Sequence, residues 1–444
     1  MAEEFSFGKP EVRIGFGETA KEADVDDPFK LLLVGSFSGR KGSWKPMRVD
    51  LDNLDTILSR LSPEVEVPGA GSLKFRELED FHPDRIFERI PRFRDLRDAA
   101  ERGASRRETR RGKAELLDSI LSGGAGEEEP VNDAPEETPE QAMTSLMRRV
   151  LHSPKVRAIE RAWRGVDFLL KRMEADGTLS LHLLDIGTDE LRESLSGSLD
   201  KSPLHKLLVE ETIGTPGGQP FAAVAMLHEF DDSREDAELL GRLVRVAVQA
   251  GTPVIGGATA AHVGCTSLID TPDPDDWTRG PDREGQAAWT ALRALPEAHY
   301  AALALPRLLL RQPYGKKTGT IDAFELEELS SPAKHEEFLW GSPALGPLLL
   351  LGQGFLEDGW RLRPGAVSEI PDMPLPMYAE DGETRLMPPS EIVLTVRAAQ
   401  KLGNAGLIPL LSLRESDAVR VGIFQSIAEP PAPLAGRWPM PSDD

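Results

Sequence analysis

Met147–Leu170 reads MRRVLHSPKVRAIERAWRGVDFLL, and after a short turn Thr178–Ile186 reads TLSLHLLDI. In the first stretch Leu151, Ile159, Ala162, Trp163, Val166, Leu169 and Leu170 recur at helical spacing and gather one apolar face. Arg157, Glu160, Arg161 and Arg164 fall largely on the opposite side, so the spacing predicts one amphipathic helix with a charged, solvated face. Asp176-Gly177 turns the chain, and the alternation of Leu179, Leu181 and Leu183 starts a strand. Neither element carries a group suited to covalent chemistry. The stretch therefore predicts architecture, and the rest of the chain is read outward from it.

Upstream, Phe29–Phe37 (FKLLLVGSF) is a near-continuous apolar run, the pattern of a strand buried on both faces, and Ser38-Gly39-Arg40 ends it in a turn. Asp52-Asn53 is placed to cap a helix that buries Leu54, Ile57, Leu58 and Leu61 and stops at Pro63. Leu73–Arg76 reads as a further strand. Asp80-Phe81-His82-Pro83-Asp84 then opens a helix with Ile86, Ile90 and Phe93 on its buried stripe. His82, Asp80 and Asp84 are the residue types of a metal or acid–base cluster. A His between Phe and Pro at a helix start is more simply satisfied by nearby backbone groups, and the aspartates suit the helix dipole.

Between these two regions the composition changes abruptly. Arg102, Arg106, Arg107, Arg110 and Arg111 form a basic run that gives way to Glu127-Glu128-Glu129, with Gly123, Gly124, Gly126, Pro130, Pro135 and Pro139 interspersed. Such a segment cannot bury a core and reads as a flexible linker. It contains one short amphipathic patch, Leu116, Leu117, Ile120 and Leu121. Two readings stay open for it: a partner-binding helix, or a remnant that packs on its own domain. The expected division is an extended arm at 1–28, a first domain at 29–110, a linker at 111–145, a second domain at 146–428 and a Pro-rich tail at 429–444, in which Arg437-Trp438-Pro439 looks exposed.

Downstream, Gly214–Phe221 (GTPGGQPF) turns into a buried strand reaching Leu227. Asp231, Asp232 and Ser233 supply capping groups for a helix with Leu239, Leu240, Leu243, Val246 and Ala247 on its apolar face. Pro253–Gly257 reads as the next strand, which completes a βαβ unit, and Tyr300–Leu305 as another buried strand after a helix holding Trp289 and Leu292. The fold class is α/β: two α/β domains with buried strands and βαβ units, joined by a flexible linker.

The chain has 444 residues, 52 Lys plus Arg and 74 Asp plus Glu, a net charge of −22 that argues against binding nucleic acid through its phosphates. One cysteine, Cys265, cannot form an intramolecular disulfide, and no charged-then-apolar leader is evident, so a reducing, cytoplasmic setting is expected. The apolar run Pro343–Phe355 is broken by Gly346, Pro347, Gly352 and Gly354 and is too short to span a bilayer, so no membrane insertion is expected.

Four stretches imitate chemical motifs. Gly315-Lys316-Lys317-Thr318 lacks the first Gly of a phosphate loop, since position 310 is Leu, and has Lys where Ser or Thr is needed. His262 and Cys265 have ligand-like spacing without a second pair to complete a zinc shell. His228-Glu229 beside Asp231 and Asp232 is explained by a capped helix start, and Gly214–Gly218 lacks dinucleotide spacing. No catalytic residue, metal or cofactor is expected.

Two resemblances organise these observations. The Glu160-Arg161-Ala162-Trp163-Arg164-Gly165 helix, GTPGGQPFAAVAMLHEF, YAALALPRLLLRQPYG, FLWGSPALG from Phe338, PPSEIVLT and LGNAGLIPLL resemble, in order, TssC, the large sheath subunit of bacterial type VI secretion systems, over roughly 113–428. LLVGSFSGR, VDLDNLDTIL and LKFRELEDFHPDRIFERIP resemble TssB, the small sheath subunit, over roughly 29–97. The chain thus looks like a fused, shortened TssB–TssC protein. The resemblance implies a structural role: self-association or assembly with other sheath subunits around an Hcp-like inner tube on a baseplate; the family exchanges strands between protomers, and the segments expected to make those exchanges look shortened or absent here. It also implies that the Leu116, Leu117, Ile120 and Leu121 patch corresponds to the helix bound by the recycling unfoldase ClpV. Alternatives are a non-contracting sheath-like accessory or regulator and, from another class, a cytosolic α/β hydrolase or ligand-binding enzyme.

Overall fold

The computed structural model describes residues 5–8, 22–102, 138–173, 177–278, 283–380 and 383–440. Its centre is a nine-stranded sheet in the order β11-β15-β14-β8-β7-β6-β1-β5-β2. The strands are β1 (Phe29–Gly35), β2 (Met47–Val49), β5 (Leu179–Asp185), β6 (Ala223–Phe230), β7 (Val254–Ala258), β8 (Ala301–Leu305), β11 (Glu369–Ile370), β14 (Leu407–Ser412) and β15 (Val419–Val421). Small two-stranded ribbons are made by β3 (Glu64–Val67) with β4 (Gly71–Lys74), β9 (Leu308–Leu309) with β10 (Trp340–Gly341), and β12 (Met377–Glu380) with β13 (Glu383–Leu386). From β14 through β5 every pairing in the main sheet is parallel, and the strands outside that block, β2, β15 and β11, pair antiparallel. The class is α/β.

The two regions separated in sequence share this sheet. β1 pairs with β5 in register from Phe29↔Leu179 to Gly35↔Asp185, and on its other side with β6 from Leu31↔Ala223 to Val34↔Met226. A strand apolar at nearly every position needs both faces covered and both edges paired, and β5 and β6 supply the edges. Alternate side chains divide between two cores: Phe29, Leu31 and Leu33 enter one, Leu32 and Val34 the other.

The first core holds α1 (Leu54–Leu61), α2 (Pro83–Arg89), α3 (Pro139–Leu151), α4 (Pro154–Arg172) and, later in the chain, the long apolar run; α5 (Thr188–Leu195), α6 (Arg234–Ala247) and α7 (Arg283–Arg293) lie on the second. The apolar run is helix α8 (Leu345–Asp358), and a last helix, α9 (Val396–Asn404), also joins the second core. Among the described residues no helix is long and apolar enough to cross a membrane. At α1, Asn53 makes no side-chain cap; it exchanges hydrogen bonds with Asp50, each side chain accepting from the other's N–H.

Three local expectations change. The single helix expected through Met147–Leu170 is two helices, α3 and α4, divided at His152-Ser153. Pro154 disfavours helical backbone at the residue before it, and Ser153 is accordingly extended, with ψ 124°. Helix α3 also begins at Pro139, within the stretch read as linker, because Thr138 and Gln141 form a capping box around a proline that suits the first helical position. Finally, Arg437-Trp438 is buried. The Trp438 ring is 2% exposed, Arg437 pairs with Asp27 at 2.5 Å and lies over Trp360, and Ala23 N–H donates to the Arg437 carbonyl. A Pro-rich stretch looks polar by composition, yet its one indole has apolar area to bury.

Candidate functional site

The motif-bearing residues of the first region are tied to the second. His82 caps α2, its Nδ1 accepting from Asp84 N–H at 3.3 Å, and its ring meets Tyr314 edge-on at 5.1 Å. Asp84 accepts from the Asp322 and Ala323 N–H groups at 3.1 and 2.8 Å. Asp80, 1% exposed, accepts from Arg76 N–H at 2.6 Å and pairs with Arg89. Asp80 turns to backbone and Arg89 while the His82 ring stays 3.4 Å from the Asp84 carboxylate, and Asp84 and His82 reach the second region, so DFHPD works as a docking turn between regions.

Behind this turn lies a buried ion network that helical periodicity did not disclose. Glu160, assigned to the solvated face of its helix, is 0% exposed. Its Oε1 accepts from Arg164 Nε at 2.7 Å and Arg311 Nε at 2.8 Å. Arg311 in turn makes a two-pronged contact with Glu328 at 2.8 and 2.9 Å, and Glu328 accepts from Tyr314 N–H at 2.7 Å. Burial by itself pushes the Glu160 carboxyl up, but Arg311 and Arg164 outweigh it and hold it below the usual range. A buried carboxylate is tolerable only with such partners, and Arg311 lies 151 residues away in sequence. The available signal was position: Glu160 is four residues after Val156 and three before Trp163, both buried.

The imitative motifs are also placed. At Gly315–Gly319 the backbone donors are spent locally, Gly315 N–H on the Gly319 carbonyl and Gly319 N–H on the Pro313 carbonyl, while Thr318 Oγ1 donates to Pro313 O at 2.6 Å. His262 Nε2 contacts the Phe230 carbonyl at 3.2 Å, whereas the Cys265 thiol donates to Ser267 O at 3.0 Å. His228 meets Asp236 at 3.0 Å, Asp231 accepts from Ser233 N–H, and Ser233 caps α6. Among the described residues no cluster of three or more His, Cys, Asp or Glu could hold a metal ion.

What remains for function is surface. The sheet ends at β2 on one side and at β11 on the other, and sheet edges are where another chain can add a strand. Leu116, Leu117, Ile120 and Leu121 lie outside the described residues.

Comparison with known families agrees with this architecture. Residues 138–428 match the VipB family, described as the EvpB tail sheath N-terminal domain, and residues 8–122 match the type VI secretion system VipA family. The amphipathic patch at 116–121 falls in the VipA match and outside the VipB match. The chain is 30% identical over 296 residues to the type VI secretion system sheath protein TssC1 of Pseudomonas aeruginosa, a match covering 65% of this chain and 59% of that relative. A strand of the VipA-matching region thus stands between two strands of the VipB-matching region, and the chain belongs to the type VI secretion tail sheath family, with both sheath components in one polypeptide.

Proposed function

We propose that this protein is a non-enzymatic sheath protomer that assembles with copies of itself or with other sheath subunits into a tube. The observation that carries the reading is the position of β1: the VipA-matching region completes the sheet of the VipB-matching region, so one chain folds as a whole lattice unit. Function in such a unit resides in interfaces that repack, which fits a molecule whose His and acidic motifs are engaged in caps and ion pairs. The tube surrounds an Hcp-like inner tube on a baseplate in the cytoplasm. Leu116, Leu117, Ile120 and Leu121 supply the apolar anchors for a ClpV-like unfoldase.

Negative-stain electron microscopy and light scattering of the purified full chain test the proposal. Rings, tubes or ordered oligomers are expected; a sharp monomer at tens of micromolar, an order-of-magnitude working concentration, with no tubes on the grid would overturn it.

A further inference from the structure

A cavity of about 360 Å³ opens at the carboxyl ends of β1, β5 and β6. This is where open parallel sheets accept small ligands, because the connections leaving neighbouring strands separate there. The chain between β1 and β5 runs through α1–α4 on one face, and the chain between β5 and β6 through α5 on the other, so the crevice lies at that divergence. Strand β6 enters it irregularly. Its register against β7 shifts between Ala225 and Glu229, and such breaks in a ladder re-aim side chains. Glu229 then lies across Gly257, where a Cβ would come within 2.8 Å of its Cγ.

Two ionisable side chains, Arg161 and Glu229, line this cavity and feel each other's charge. Among the described residues neither the Arg161 guanidinium nor the Glu229 carboxylate makes a hydrogen bond or ion pair, although both are partly buried. The neighbouring His228 is already engaged by Asp236. Burial lifts the Glu229 carboxyl above its ordinary range although Arg307 and Arg161 pull it the other way, whereas arginine keeps its charge. The Arg161 guanidinium thus lines the cavity, with apolar walls from Ala162, Met226 and Leu227 beside it.

We propose that this cavity binds a small organic anion, its carboxylate or phosphate group held by the Arg161 guanidinium and its apolar part lying on Ala162, Met226 and Leu227. A planar guanidinium suits either oxyanion, and a partly dehydrated pocket strengthens the contact. The site is separate from the sheet edges, so it stands or falls independently of tube assembly.

Isothermal titration of the full chain with benzoate and, separately, inorganic phosphate tests it. Saturable binding of at least one probe is expected, weakened by about tenfold or more in Arg161→Met. Ala158→Leu, at an exposed helical position on the cavity rim, should weaken it comparably without touching a core residue. Which probe binds distinguishes a carboxylate from a phosphate site. Should Arg161→Met fail to fold by circular dichroism, Ala158→Leu alone decides. Absence of saturable binding for both probes, or binding unchanged in a folded variant, would overturn the proposal.

Discussion

The Trp163 indole Nε1 donates to the carbonyl of Phe37 at 3.0 Å, and the two rings meet edge-to-face at 5.6 Å between centroids. Trp163 belongs to the VipB-matching region and Phe37 to the VipA-matching region, and both are fully buried. The contact fixes the end of β1 against α4. Trp163→Ala should destabilise the protein by about 3–5 kcal/mol, a large-to-small change in a closed core. Urea unfolding would read it, with the exposed Arg420→Ala as control; equal midpoints for the two variants would contradict the placement.

The fused arrangement makes the halves mutually dependent. If the chain is cut after Gly124, the two fragments should copurify when coexpressed, because β1 must still fill the gap between β5 and β6. The carboxyl-terminal fragment alone leaves both strand edges open and should be insoluble. Soluble, monodisperse fragments would contradict this.

Arg311 balances Glu160 and Glu328. Arg311→Met takes the arginine from buried Glu328 and leaves buried Glu160 with Arg164 alone, and should cost about 3–5 kcal/mol at neutral pH. Adding Glu160→Gln and Glu328→Gln should recover much of that loss. Denaturant midpoints of the single and triple variants measure both, and an additive further loss in the triple variant would refute the role given to the network.

His182, on β5, makes folding sensitive to acid. Burial, with help from Lys30 and Arg48, lowers its pKa from 6.5 to about 4. A lowered folded pKa means the unfolded chain takes up the proton first, so the stability this neutral imidazole contributes is intact above pH 6.5 and is lost as pH falls toward about 4. His182→Gln should therefore show a shallower fall in urea midpoint over that window than wild type. Parallel curves would mean His182 does not titrate there.

Leu117→Asp in the proposed unfoldase anchor places a charge that a binding groove must desolvate. Binding to a ClpV N-domain should be abolished in a pull-down or titration, with the thermal midpoint nearly unchanged. A drop of many degrees would instead assign these leucines to a core.

Much of the fold was legible because its signals are local. The apolar run at Phe29–Gly35, the capped start of α6 at Ser233 and the helical stripe around Trp163 each follow from side-chain period and capping chemistry within a few residues. The break before Pro154 and the capping box at Thr138 were equally local, yet the unbroken apolar stripe obscured the first and the acidic composition around Pro139 obscured the second.

By itself, then, the sequence determined that β1 had to be buried on both faces, that α4 had an apolar side, and which two sheath components the chain resembles. Only the tertiary structure decided which strands flank β1, that Glu160 lies inside with Arg311, that Arg437 closes over Asp27 and Trp360 while Trp438 is buried, and that Arg161 and Glu229 share a cavity. The physical reason is range. Backbone preference and hydrophobic period act between near neighbours, whereas strand partners and the countercharges that make burial of an ion tolerable come from residues far away in the chain.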